Sequence, residues 1–148
     1  MRKYGRAYHV IDIENLLALT HGIPVWTKAG SLYKVIAGVE DIDLMLVAAD
    51  QSRIFDLKIA FPGADVRPGR GTDGADLALI NNIDIEFVAN RFDTVVIGSG
   101  DNRFTDIAYR ARQHGLNVVV VSRRTSLGRT LASYADAVID MPELTVAA

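Results

Sequence analysis

Short apolar runs of the kind that form buried strands recur along this chain. Most are rich in β-branched residues and lack the alternation of a half-exposed strand, so they favour strands buried on both faces of a parallel sheet. The polar character of Ala64–Arg67 predicts an edge strand. The predicted strands are Tyr8–Ile11, Asp43–Ala49, Ala64–Arg67, Thr94–Ile97, Val118–Val121 and Ala137–Ile139.

The segments between these runs carry apolar residues at three-to-four spacing, which predicts helices. Val25–Ser31 is predicted to be a loop, and Gly74–Phe92 one long helix with Leu77, Ile80, Ile83 and Phe87 on adjoining turns. The other predicted helices begin at Leu16 or cover Leu32–Val39, Gln51–Phe61, Arg103–His114 and Ser126–Tyr134. Strands that alternate with helices predict an α/β domain with a mainly parallel sheet and right-handed crossovers.

The composition bounds the class of protein. A chain of 148 residues with 49% hydrophobic content is the size of one domain, here residues 1–148. It has no cysteine, so disulfides, zinc thiolate sites and thiol catalysis are excluded. His9, His21 and His114 lack the spacing of a metal pair and are interpreted as core or surface residues. No apolar run reaches the roughly 18 residues of a membrane span, so we expect a soluble, cytoplasmic protein.

The charge is unevenly distributed. The net charge is −2, but the segment from Arg103 to Arg129 holds six arginines and one acid, Asp106. Such a segment is either a solvated helix face or a surface that binds nucleic acid. Arg123 and Arg124 follow the end of a strand and are predicted to contact RNA phosphates.

Three aspartates are candidates for chemistry. Asp12 and Asp101 each follow an apolar strand, and Asp76 lies in the first turn of a predicted helix. Asp101 could equally cap the following helix. If the two strands are neighbours where the strand order reverses, their carboxylates face one crevice. Converging carboxylates require a cation, and oxygen ligands fit Mg²⁺ or Mn²⁺, which would support hydrolysis of a phosphodiester.

Three motifs carry a family resemblance. The segments 10–16 (VIDIENL), 74–79 (GADLAL) and 99–104 (SGDNRF), followed by the strand at 118–122, resemble the NYN domain family of the PIN-like superfamily of metal-dependent ribonucleases. The resemblance covers about Tyr8 to Met141. It implies an α/β/α sandwich of PIN-like, Rossmann-like type and an RNA endonuclease. It further implies that Asp12, Asp76 and Asp101 bind the metal, and that Asn15 supports them.

The sequence departs from the family pattern at two positions. Arg103 stands where the family usually has an acid, and Asp73 stands where it commonly has lysine. Asp73 or Asp106 could compensate, with Ser99 supporting the turn, or Arg103 could contact RNA phosphate. The alternative function is an RNA-binding module that does not cleave.

The expected partner of either kind of protein is single-stranded RNA, and a homodimer is left open. Among the aromatic residues, Trp26 and Tyr33 are interpreted as packing residues. Tyr109 lies among the arginines and is the best candidate for base stacking.

Overall fold

The computed structural model describes residues 5–17, 26–71 and 74–144. These residues form a central sheet of six strands in which every neighbouring pair runs parallel. The strands are β1 (Ala7–Asp12), β2 (Leu44–Asp50), β3 (Asp65–Gly69), β4 (Thr94–Gly98), β5 (Asn117–Ser122) and β6 (Ala137–Asp140). Their order across the sheet is β3, β2, β1, β4, β5, β6, which confirms the predicted fold class and places β3 at an edge.

Helices cover both faces of this sheet. In the described ranges they are α1 (Ile13–Leu17), α2 (Trp26–Ile36), α3 (Ile54–Ala60), α4 (Gly74–Asn82), α5 (Ile85–Arg91), α6 (Thr105–Gln113) and α7 (Arg129–Ser133). Successive strand residues such as Val10 and Ile11 point to opposite faces. One face packs against α4 to α7 and the other against α1 to α3, so the molecule has three layers and two cores.

The predicted long helix over Gly74–Phe92 is wrong, because the structure contains two helices there. The Asp84 side chain caps α5 by accepting a hydrogen bond from the Phe87 N–H at 3.1 Å. Ile83 and Ile85 are both buried, although residues two apart lie about 200° apart on a continuous helix. The break therefore allows both isoleucines to reach the core, whereas Phe87 is left 40% exposed.

The predicted loop over Val25–Ser31 is also wrong from Trp26 onward, since α2 begins there. One face of α2 is buried and contains Trp26, Ala29 and Tyr33. Two large aromatic side chains therefore pack this helix into the core. Val35, within the helix predicted over Leu32–Val39, is 78% exposed. The predicted helix at Ser126–Tyr134 starts later, at Arg129, and the end of the first predicted helix falls outside the described residues.

A buried polar chain links β1 to α2 and to the turn before β2. His9 is fully buried, with Nδ1 2.8 Å from the Tyr33 hydroxyl and Nε2 2.9 Å from Asp43 Oδ2. Asp43 also accepts a hydrogen bond from the Ala7 N–H at 3.1 Å. His9 is therefore a core residue with both ring nitrogens engaged, which is one of the two alternatives that the sequence left open. His114 is exposed at the end of α6, and His21 lies outside the described residues.

Candidate active site

The strand order reverses between β1 and β4, and this is where an open parallel sheet forms a crevice at its carboxyl edge. Asp12 is the last residue of β1. The residue before it, Ile11, is opposite Gly98, the last residue of β4. The strands that carry Asp12 and Asp101 are therefore neighbours, which is the condition on which the predicted convergence of carboxylates depended.

A cleft of about 230 Å³ opens at this crevice. It brings together the three aspartates selected from the sequence, Asp12, Asp76 and Asp101, and also includes Asn15. The Asp12 and Asp76 residues are each 5% exposed, whereas Asp101 is partly exposed. The complete lining is Asp12, Glu14, Asn15, Asp50, Gly71, Gly74, Ala75, Asp76 and Asp101.

Asp76 reaches the cleft because α4 starts directly against the end of β3. Gly69 ends β3 and Gly74 begins α4, and a Cβ atom on either glycine would collide with the backbone of the other segment. Two residues without side chains thus permit a close approach of strand and helix. The first turn of α4, which contains Asp76, lies at the carboxyl edge as a result.

The turn after β4 is held from both sides. The Asn15 side-chain oxygen accepts a hydrogen bond from the Gly100 N–H at 3.0 Å, and the buried Ser99 hydroxyl accepts one from the Asp101 N–H at 3.1 Å. The side chain of Asp101 accepts a hydrogen bond from the Arg103 N–H at 2.9 Å and caps the short 3₁₀ turn Asn102–Phe104. Asp101 therefore caps this turn and also lines the cleft, so its capping role does not keep its carboxylate out of the cleft.

The electrostatics of the cleft reflect the burial of its carboxyl groups together with their crowded negative charge. Burial raises the pKa of Asp12 to about 7. The charges of Asp76, Glu14 and Asp101 contribute to this rise, whereas a hydrogen bond from the Asn15 N–H, at 3.4 Å, acts in the opposite direction. A buried carboxyl group among other negative charges favours the binding of a positively charged group in the cleft.

Sequence reasoning missed two acids of the cleft, Glu14 and Asp50. The Glu14 carboxylate accepts a hydrogen bond from the Asp50 N–H and so joins α1 to the end of β2. Hydrogen bonds from the hydroxyl and N–H of Ser52 lower the pKa of Asp50. The signal for Asp50 was present, since it follows an apolar strand as Asp12 and Asp101 do.

Arg103 lies at the edge of the acidic cleft. Its Nη1 is 3.6 Å from Asp76 Oδ2, and the Arg103 side chain is 46% exposed, whereas that of Asp76 is 7% exposed. The residue that replaces an expected acid thus sits beside a predicted metal ligand. Its charge partly offsets the acidic lining.

Most of the other arginines of the basic segment contact acids or backbone oxygens. Arg123 Nε donates to the Asn15 carbonyl oxygen at 3.1 Å, which places Arg123 beside the cleft. Arg124 forms an exposed ion pair with Asp140 at 2.9 Å. Arg110 and Arg112 pair with Asp106 and Asp136. The segment is therefore less basic at its surface than the sequence indicates.

Three further candidates have the following places. Asp106 is an exposed partner of Arg110 and is not among the residues that line the cleft. Asp73 lies outside the described residues. Tyr109 is 44% exposed and packs edge-on against Tyr134, with ring centroids 5.8 Å apart, whereas Trp26 and Tyr33 belong to the core.

The donor atoms of the cleft are suited to a hard divalent cation, because its acidic lining offers only oxygen. Within residues 5–17, 26–71 and 74–144, no three His, Cys, Asp or Glu side chains are placed to share one metal ion. Mg²⁺ commonly takes one or two carboxylates and completes its shell with water and substrate phosphate. The buried pair Asp12 and Asp76 fits that requirement.

Fold and cleft together define a Rossmann-like α/β protein with a carboxylate-lined site at the point where the strand order reverses. The model of the NYN domain matches residues 10–142, and the chain belongs to this family. The family is generally associated with nucleases and is normally metal-dependent.

The other comparisons show the fold alone. A solved structure of a protein of unknown function from Vibrio parahaemolyticus is 17% identical with a TM-score of 0.65, over 96% of this chain and 97% of that one. A comparison with curated proteins finds no match. None of the helices in the described part of the chain could span a membrane.

Proposed function

We propose that the protein is a metal-dependent endoribonuclease that hydrolyses phosphodiester bonds of single-stranded RNA at the acidic cleft. The observation that carries this proposal is the meeting of Asp12, Asp76 and Asp101 in one cleft of about 230 Å³. Five carboxyl groups line that space. They repel one another and would repel a phosphodiester, so productive binding of RNA there requires a cation between them.

Each residue has a role in this proposal. Asp12 and Asp76 would hold Mg²⁺ or Mn²⁺, and Asp101 would add its negative charge to the same cleft. The cation supplies Lewis acidity toward the phosphate and lowers the pKa of a bound water. Asn15 and Ser99 keep the Asp101 turn in place through the hydrogen bonds at Gly100 and at Asp101 itself. They are positioning residues, because they act through the backbone of the turn.

Substrate binding would rely on Arg123 and Arg103, each of which contacts a residue that lines the cleft. Arg123 is tied to the Asn15 carbonyl oxygen, and Arg103 lies beside Asp76. Guanidinium groups next to a metal cleft suit the phosphates that flank a scissile bond. Arg124 would contribute less, since it is 85% exposed and pairs with Asp140.

One observation favours a second function, an RNA-binding module that does not cleave. The Arg103 guanidinium is 3.6 Å from Asp76, and a fixed positive charge there opposes a divalent cation. In that case the cleft would bind RNA phosphate through Arg103 without hydrolysing it.

The test uses the full chain and a fluorescently labelled single-stranded RNA, with Mg²⁺, Mn²⁺ or EDTA. Parent protein should cleave with metal and not with EDTA, which separates it from contaminating metal-independent ribonucleases. Asp76→Asn should slow cleavage by at least about a hundredfold, because changes to outer-shell residues alone cost 10- to 100-fold. The matched control is Asp41→Asn, an exposed aspartate before β2.

The outcomes separate the two functions. Cleavage that survives unchanged in Asp76→Asn contradicts the nuclease proposal. A parent protein that binds RNA but cleaves with neither metal supports the binding module instead.

A further inference from the structure

The buried carboxylate of Asp76 has a cation from its own chain beside it. Asp76 lies in a cleft with four other acidic residues, and the guanidinium of Arg103 approaches it to 3.6 Å. The two partners differ in exposure, because the Asp76 side chain is 7% exposed and that of Arg103 is 46% exposed. The carboxylate is thus fixed in the wall, while the guanidinium reaches in from solvent.

The backbone of Arg103 is well anchored. Its N–H donates to Asp101, and the next residue, Phe104, is fully buried in the core. The Arg103 side chain is long and half-exposed, so its head group can move several ångströms while the turn stays fixed. Ion pairs at such exposure are weak and exchangeable.

We propose that Arg103 is an exchangeable counter-ion, which neutralises Asp76 in the metal-free protein and moves to an RNA phosphate when a divalent cation binds Asp76. This inference rests on the proposed function, since it requires both a cation and a phosphodiester in the cleft. Arg103 stands where an acid was expected. On this inference it has a regulatory role and does not indicate that the site has been lost.

The exchange makes cation and phosphate binding depend on each other. A divalent cation repels the guanidinium from Asp76, and a nearby phosphate offers the displaced group a new partner. Each ligand therefore lowers the free energy of binding the other, and this coupling is necessarily reciprocal. Metal would bind tightly in the presence of RNA and weakly in its absence.

The experiment measures Mn²⁺ binding to the full chain by isothermal titration calorimetry, with and without excess dimethyl phosphate. This probe is a phosphodiester anion without a base or a ribose hydroxyl. The variants are Arg103→Gln and Arg103→Lys, and Asp76→Asn identifies the site. The matched control is Arg110→Gln, which breaks the Arg110–Asp106 pair outside the cleft. Thermal unfolding checks that each variant is folded.

Dimethyl phosphate should tighten Mn²⁺ binding to the parent by about fivefold or more, the lower range of typical coupling between sites. Arg103→Gln should bind Mn²⁺ about fivefold more tightly than the parent without phosphate, because an exposed ion pair no longer competes. It should lose the response to phosphate. Arg103→Lys should retain part of the response, and Arg110→Gln should behave as the parent.

Each other result overturns the inference. If Mn²⁺ binding depends on Asp76 but Arg103→Gln does not tighten it, or phosphate does not tighten it in the parent, the exchange is wrong and the proposed nuclease stands. If Mn²⁺ binds Arg103→Gln but never the parent, the pair is permanent and the binding module is favoured. If neither binds Mn²⁺, the exchange and the metal-dependent function both fail.

Discussion

Asp12→Asn should stabilise the metal-free protein above about pH 7, and its stability relative to the parent should rise with pH. Burial raises the pKa of Asp12 from its ordinary value of 3.8 to about 7. In the unfolded chain the group is ionised above its ordinary value. Between the two pKa values the folded protein binds more protons than the unfolded chain, so its stability falls as the pH rises. Above pH 7 the loss is complete and amounts to about 4 kcal/mol at about 1.4 kcal/mol per pKa unit.

Asparagine does not ionise, so Asp12→Asn does not lose stability as the pH rises. Burying an amide costs about 1 to 3 kcal/mol where its N–H groups lack partners, so the net effect at one pH is less informative than the trend. The stability difference between variant and parent should widen in favour of the variant by about 2 to 3 kcal/mol between about pH 5 and pH 8.

Urea unfolding in EDTA across this pH range measures the difference, with Asp41→Asn as the exposed control. Urea unfolding with Mn²⁺ in place of EDTA should show a smaller stability difference between variant and parent. The ion binds Asp12 and so stabilises the parent but not the variant. A difference that stays constant with pH would refute the reasoning. It would mean that Asp12 ionises alike in the folded and unfolded chain.

Three further predictions concern Asp101 and residues outside the lining of the cleft. Asp101→Asn should abolish cleavage and keep the cap on the Arg103 N–H, whereas Asp101→Ala should also lose about 1 kcal/mol of stability in urea unfolding. Gly100→Ala should cost about 1 to 3 kcal/mol in the same assay, because its Cβ would collide with the Ser122 hydroxyl and the Ser126 carbonyl oxygen. Changing Arg123 and Arg124 to alanine should weaken RNA binding equally for all sequences and reduce its salt slope, chiefly through Arg123; an unchanged slope would mean that both arginines only face solvent.

The sequence predicted the sheet and the places of Asp12 and Asp101 after apolar strands because both depend on local pattern. An uninterrupted apolar run such as Thr94–Ile97 can be satisfied only by burial on both faces, and a parallel sheet provides that. The carboxyl ends of parallel strands lie at the same edge of the sheet. Placing Asp12 and Asp101 at strand ends was therefore enough to bring them together once β1 and β4 proved to be neighbours.

The features that could not be predicted depend on contacts between segments that are distant in the sequence, and single residues do not reveal such contacts. The helix break before Ile85 arises because the core receives both Ile83 and Ile85. Glu14 belongs to the cleft because it binds the Asp50 N–H, 36 positions away. The contacts of Arg103 with Asp76 and of Arg123 with the Asn15 carbonyl oxygen likewise join elements that are separate in sequence.

The pairing of β1 with β4 determines when during folding the cleft can exist. Ala7 pairs with Thr94, 87 positions later, and the hydrogen bond from Gly100 to Asn15 spans 85. Contacts between residues this far apart in sequence form late, because the entropy cost of closing a long loop comes before the contacts stabilise the fold. A chain emerging from the ribosome exposes Asp12 and Asn15 long before β4 has been synthesised. Asp101, which follows β4, is therefore missing from the acidic cleft of the nascent chain, and the cleft is complete only after β4 has joined the sheet.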